Sequence, residues 1–236
     1  MTNSSRPLLD RSLWPAFFLL IATFALFELT NLDLRIQDHL YDFKKNAWLV
    51  DDKARLPRLL FYIGPKSLVF AFGFLVLGVC CTTKAWWRRV IGSRFQRRDL
   101  IIVLATLITA PSLISLGKAT TNVYCPYEIH HYGGKFPYVK LCESYPANDH
   151  PAKRGRGFPA GHASGGFALM SLAGLGFSRR ARWLGLSVGL GMGSAMGFYQ
   201  MIKGAHYLSH TLISAILCWI VFIAWRRILR HRLPAV

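Results

Sequence analysis

Acidic side chains are scarce in this sequence: 11 Asp and Glu stand against 29 Lys and Arg in 236 residues. A polar domain with that excess would point to nucleic acid, but here the basic residues sit between apolar runs, which excludes nucleic acid as the partner. Internal repeats, low-complexity tracts and any polar stretch long enough for a second, soluble domain are also lacking. Residues 1–236 are therefore read as a single integral membrane domain. Cysteine is sparse too. Of five, Cys80, Cys81 and Cys218 fall in or at the edge of apolar runs, which leaves only Cys125 and Cys142 for a shared polar loop.

Apolar side chains are abundant: 53% of residues are hydrophobic and the mean hydropathy is +0.30. Six runs approach the roughly 20 residues that a helix needs to cross the hydrocarbon core. They are about 13–32, 59–82, 100–117, 161–178, 184–203 and 207–225. The expected fold is all-α, a polytopic bundle of six transmembrane helices. The fourth and fifth runs are rich in Gly, Ala and Ser, which permits close helix–helix approach in lipid.

Orientation follows from where the basic residues collect. Arg6 and Arg11 precede the first run, and Lys84, Arg88, Arg89, Arg94, Arg97 and Arg98 separate the second from the third. Arg179, Arg180 and Arg182 separate the fourth from the fifth, and Arg226, Arg227, Arg230 and Arg232 end the chain. Only Asp10 and Asp99 oppose them, whereas residues 33–58 carry mixed charge. By the positive-inside rule both termini are expected to be cytoplasmic, with segments 33–58 and 118–160 on the outer face. In a bacterial inner membrane that face is periplasmic and oxidising, so Cys125 and Cys142 are either a disulfide or two unpaired thiols.

This topology places three distant groups at one depth. Lys118 ends the third run, His162 opens the fourth within "FPAGHASGG", and His206 opens the sixth within "QMIKGAHYLSH". Ionisable groups there are costly unless they are paired or used. Helix N-termini beside His162 and His206 favour an anion, and Lys118, Arg154, Arg156 and Lys203 add cations suited to phosphate oxygens. Two histidines around a phosphate suit ester hydrolysis. One imidazole attacks phosphorus while the other protonates the departing oxygen. His210, four residues after His206 and so on the same helix face, is placed to orient it. Plainer readings stay open at this point: interfacial polar residues, solvated basic loops, or a metal site in which His162, His206 and His210 are ligands.

These residues resemble the type 2 phosphatidic acid phosphatase family of membrane lipid phosphatases. Its three motifs, K-x6-R-P, P-S-G-H and S-R-x5-H-x3-D, correspond here to "KATTNVYCP" (Lys118 to Pro126), "PAGH" (Pro159 to His162) and "YQMIKGAHYLSH" (Tyr199 to His210). The resemblance covers about residues 60–225. It implies that His206 is the nucleophile, His162 the acid/base, and Lys118 a phosphate ligand. It also implies that no metal or other cofactor is needed and that the site lies at the outer membrane surface. Three positions depart from the motifs: Cys125 and Gln200 stand where the family has Arg, and His210 where it has Asp. Arg154 or Arg156, with Lys203, are expected to take over the missing phosphate contacts alongside Gln200. Glu128, Glu143 or Asp149 is expected to reinforce His210.

The expected function is hydrolysis of a phosphorylated membrane lipid through a phosphohistidine. Undecaprenyl diphosphate, phosphatidic acid, phosphatidylglycerol phosphate and lipid A are the candidate partners within the bilayer. A lipid A phosphotransferase, a metal-dependent membrane hydrolase and a non-catalytic lipid-binding relative are the alternatives.

Overall fold

The computed structural model describes residues 12–90, 96–176 and 178–232. Arg6, Asp10, Arg11 and Arg94, used above for orientation, lie outside them. The chain is mostly helical. Helix α1 (Leu13–Leu29) bends by 73° into α2 (Leu32–Asp38), and a small antiparallel pairing of Tyr41–Asp42 with Ala47–Trp48 follows. Next come α3 (Arg55–Cys80, with a π-helical turn at Leu59–Ile63), α4 (Lys84–Val90) and α5 (Arg97–Thr120). A long segment with short 3-10 turns leads to α6 (Gly161–Ala168), α7 (Arg179–Ile202) and α8 (Leu208–Arg232).

Among the described residues, three helices are long and apolar enough to cross a membrane: α3, α5 and α8. The bent pair α1–α2 makes a fourth if it is one broken span. The expected count of six is not met by this measure, and the reasons are local. The fourth apolar run forms only the eight-residue α6, which tightens into a 3-10 segment at Leu169–Leu175. The fifth forms a 24-residue helix, but its glycines dilute its hydropathy.

Those glycines have a packing role. Gly185, Gly189, Gly193 and Gly197 recur every fourth residue and line one face of α7. A Cβ at Gly189 would lie 2.2 Å from the Met170 backbone nitrogen, and one at Gly193 would strike the Phe167 ring. The absence of side chains lets α7 press onto α6 and the 3-10 segment, as expected for small residues in a membrane bundle. Ala110, Ile114, Ala163, Phe167, Met170, Met196 and Cys218 form the core beneath that contact. Gly189→Val is expected to destabilise the protein by about 1–3 kcal/mol through overpacking. Gly191→Val, where nothing lies within 4 Å of a new Cβ, should be tolerated. Melting in detergent compares the two; equal melting temperatures would refute this packing.

The segments expected on the outer face pack on each other. Tyr41 and Trp48 from the first meet Tyr124, Tyr132, Phe136 and Tyr145 from the second in one aromatic cluster. The two cysteines of the second segment do not pair. Cys125 is buried, its N–H donating to Glu128 Oε2 at 2.9 Å, whereas Cys142 is exposed with its N–H on Glu28 Oε1. Both are free thiols, so the disulfide reading is corrected: the two lie against different neighbours. Burial pushes the Cys125 thiol up to about 12, which leaves it protonated and unreactive.

Candidate active site

Three chain ends converge at one end of the bundle. Helix α5 carries Lys118 in its last turn before the backbone extends at Thr121. Helix α6 begins at Gly161 after an extended Ala160, and this puts His162 in its first turn. Gly161 lies against the Lys118 side chain: a Cβ there would be 4.0 Å from Lys118 Cδ. Helix α7 ends at Ile202, and Lys203 and Gly204 turn the chain towards α8.

That last turn holds His206, and its conformation is strongly determined. Gly204 has φ +75, and any side chain on it would collide with the Trp48 ring. The Gln200 carbonyl accepts from Ala205 N–H at 2.8 Å and from His206 N–H at 3.3 Å. From the first outer segment, Gln37 donates to the Met201 carbonyl at 2.7 Å. On the α8 side, Asp33 accepts from Ser209 N–H at 3.0 Å and from its hydroxyl at 2.5 Å. Asp33 therefore caps the helix that carries His210, next to His206. These bonds satisfy helix-end groups that would otherwise be unpaired.

The histidines form a row with His206 in the middle. His162 Nδ1 lies 3.4 Å from His206 Nε2, and His210 Nδ1 lies 3.5 Å from His206 Nδ1. Both distances are long for hydrogen bonds. His206 and His210 are buried, whereas His162 is half-buried. The Gly157 backbone carbonyl serves as acceptor towards both buried rings. Burial, together with His210, Lys118 and His162, holds the His206 pKa well below the usual imidazole value. His206 is therefore neutral at pH 7, the form with a lone pair available.

The other expected residues are dispersed around this row. Lys203 donates to Asp52 Oδ1 at 2.5 Å, and its ammonium lies 5.9 Å from the Tyr62 ring centroid and 5.4 Å from that of Tyr199. The pairing lowers the Asp52 pKa and neutralises the lysine as a phosphate ligand in this state. Arg154 is exposed and donates to the Thr120 carbonyl at 2.8 Å, two residues from Lys118. Arg156 is also exposed. Gln200 is buried, and neither its side-chain oxygen nor its nitrogen has a partner. The carboxylates expected to support His210 are engaged elsewhere: Glu128 with Cys125, Glu143 with the Lys140 N–H, and Asp149 with His130. The Gly157 carbonyl stands in their place. Among the described residues, no group of three or more His, Cys, Asp or Glu is arranged to hold a metal ion.

A cavity of about 610 Å³ begins at this site and runs between α3 and α5. Lys118, Gly161 and His162 line its mouth, and Phe70, Phe74, Leu77, Leu104 and Leu107 line its depth. Tyr62, Lys66 and three serines, Ser112, Ser115 and Ser164, were absent from the sequence reading. Tyr62 lies against His162, ring centroids 5.0 Å apart, and Lys66 lies one turn further along α3. The signal for Lys66 was present: it is the sole charged residue in the apolar run 59–82.

Residues 99–233 match the family model described as the PAP2 superfamily. No curated protein and no solved structure gives a match.

Proposed function

Because the chain belongs to the PAP2 superfamily, whose members are phosphatases, we propose that it hydrolyses a phosphorylated membrane lipid through a phosphohistidine on His206. One observation carries the reading. His206, neutral and buried, presents Nε2 to His162 at the mouth of a mostly apolar cavity between two helices apolar enough to span a membrane. A soluble phosphate ester has no use for such a cavity; an acyl or prenyl tail does.

In this reading Lys118 meets the phosphate oxygens, and His206 Nε2 attacks phosphorus. The side of the His206 ring away from His162 faces His210, whose Nδ1 lies 3.5 Å from His206 Nδ1, and the Gly157 carbonyl is an acceptor beside the pair. His162 takes up the proton that the substrate brings as a phosphate monoanion, gives it to the departing oxygen and then takes one from the water that cleaves the N–P bond. Gln200, whose side chain is otherwise unpartnered, supplies an amide to the phosphate. It thereby replaces part of what a guanidinium would offer, without the charge. The segregation of basic residues supports cytoplasmic termini and a site on the periplasmic face of a bacterial inner membrane.

The test is phosphate release from a panel of pure lipid phosphates in detergent or vesicles, with and without chelator. Turnover of at least one lipid, unchanged by the chelator, is the expected result. Loss on chelation that added zinc restores would move the protein to the metal-dependent hydrolases.

A further inference from the structure

The cavity contains a cation that the hydrolysis of a simple phosphate ester does not require. Lys66 lies within a spanning helix and lines the cavity. Its ammonium is 5.9 Å from the Tyr62 ring centroid and 6.0 Å from that of Phe70, residues four before and four after it on the same face of α3. Both rings line the same cavity. Lys66 is exposed, and its side chain lies along the cavity wall between the two rings. A lysine in an apolar helix costs several kcal/mol unless it snorkels or is used. Among the described residues Lys66 has no carboxylate partner, whereas Lys203 has Asp52.

Position along the cavity then decides what Lys66 meets. Tyr62 packs on His162, and Lys66 follows one helical turn deeper, about 6 Å along the axis. Beyond it the wall is Phe70, Phe74 and Leu77. From the mouth inward the order is Lys118 and His162, with His206 Nε2 3.4 Å behind His162, then a second cation, then apolar surface. A lipid diphosphate has the same order: terminal phosphate, bridging oxygen, second phosphate, tail. A phosphate monoester would place a neutral alkyl or glyceryl group opposite the ammonium.

Resting on the phosphatase reading above, we propose that Lys66 holds the phosphate that stays with the tail, so that the preferred substrate class is a lipid diphosphate. His206 Nε2 forms a bond to the terminal phosphorus as the bond from that phosphorus to the bridging oxygen breaks. The electron pair leaves with the lipid monophosphate, whose bridging oxygen takes the His162 proton. Water then attacks the phosphohistidine, His162 accepts its proton, and inorganic phosphate departs. Lys66 offsets negative charge on the leaving group, where charge grows as the bond breaks.

Two probes with one tail test this: geranylgeranyl diphosphate and geranylgeranyl monophosphate in detergent micelles, read as the ratio of their kcat/KM values. Wild type should favour the diphosphate by about tenfold or more, the scale of one charge-assisted hydrogen bond. Lys66→Gln should cut that ratio about tenfold, and Lys66→Arg, which keeps the charge, should retain most of it. A ratio unchanged in Lys66→Gln, or a wild type that favours the monophosphate, overturns the assignment while leaving the phosphatase standing. A wild type that releases phosphate from neither probe nor from any lipid of the wider panel overturns both.

Discussion

His206→Ala is expected to abolish phosphate release, a loss of at least about a thousandfold, the scale on which an activated nucleophile matters. The expectation rests on how completely the surroundings prepare this one imidazole. Burial and the neighbouring His210, Lys118 and His162 keep it neutral. The turn between α7 and α8 fixes its backbone through Gln200, Gly204 and the Asp33–Ser209 cap. The Ser164 hydroxyl, which lines the same cavity, donates to the Gly161 carbonyl at 2.6 Å. Removing the ring also empties a buried site, so the variant needs a folding check by melting in detergent. His206→Asn, which fills more of the space, should be equally inactive. Turnover within tenfold of wild type in either folded variant would remove His206 as nucleophile.

Much of the site could be read from the sequence because its chemistry sits in short, regularly spaced stretches. His206 and His210 share a helix face by virtue of four-residue spacing, and Gly161 and His162 open a helix whose small residues announce close packing. The structure brings Lys118 against Gly161 and His162 against His206. What could not be read depends on atoms without a sequence signature. The acceptor towards His206 and His210 is a backbone carbonyl, at Gly157, and a search for side-chain carboxylates could not reveal it. Asp33 and Asp52 act on Ser209 and Lys203 across more than 150 residues, a pairing that no local pattern encodes.

The span count shows the same division. Hydropathy identified the apolar runs but not helix type, so the change to 3-10 turns at Leu169 was not legible in it. The glycine content of α7 was legible and its consequence, contact at backbone distance, is present. The basic residues around the site were legible as a class but not as individuals. Lys203 is neutralised by Asp52, Arg154 and Arg156 do not line the cavity, and Lys66, which no motif contains and which is as exposed as they are, does. In an apolar helix a single charge is more informative than several in a loop, because burial there has a cost that a solvated loop does not impose.

His162→Ala should separate two steps that His206→Ala removes together. General acid catalysis contributes about 10²–10⁴-fold when the leaving oxygen is a poor leaving group, as in a lipid alkyl phosphate. An aryl phosphate such as p-nitrophenyl phosphate departs without a donated proton, so phosphorylation of His206 should stay fast in the variant. Breakdown of the intermediate should not, because the same imidazole would activate water, and it lies only 3.4 Å from His206 Nε2. Mixing the variant with p-nitrophenyl phosphate is therefore expected to give a burst of one p-nitrophenolate per site followed by slow turnover. A lipid alkyl monophosphate, whose alkoxide needs the donated proton, should give no burst. A simple loss of packing would instead slow both substrates alike and leave no burst, since it would disturb the position of His206 whatever the leaving group. Equal losses without a burst would assign His162 to holding His206 in place and leave the proton donor to another group at the cavity mouth.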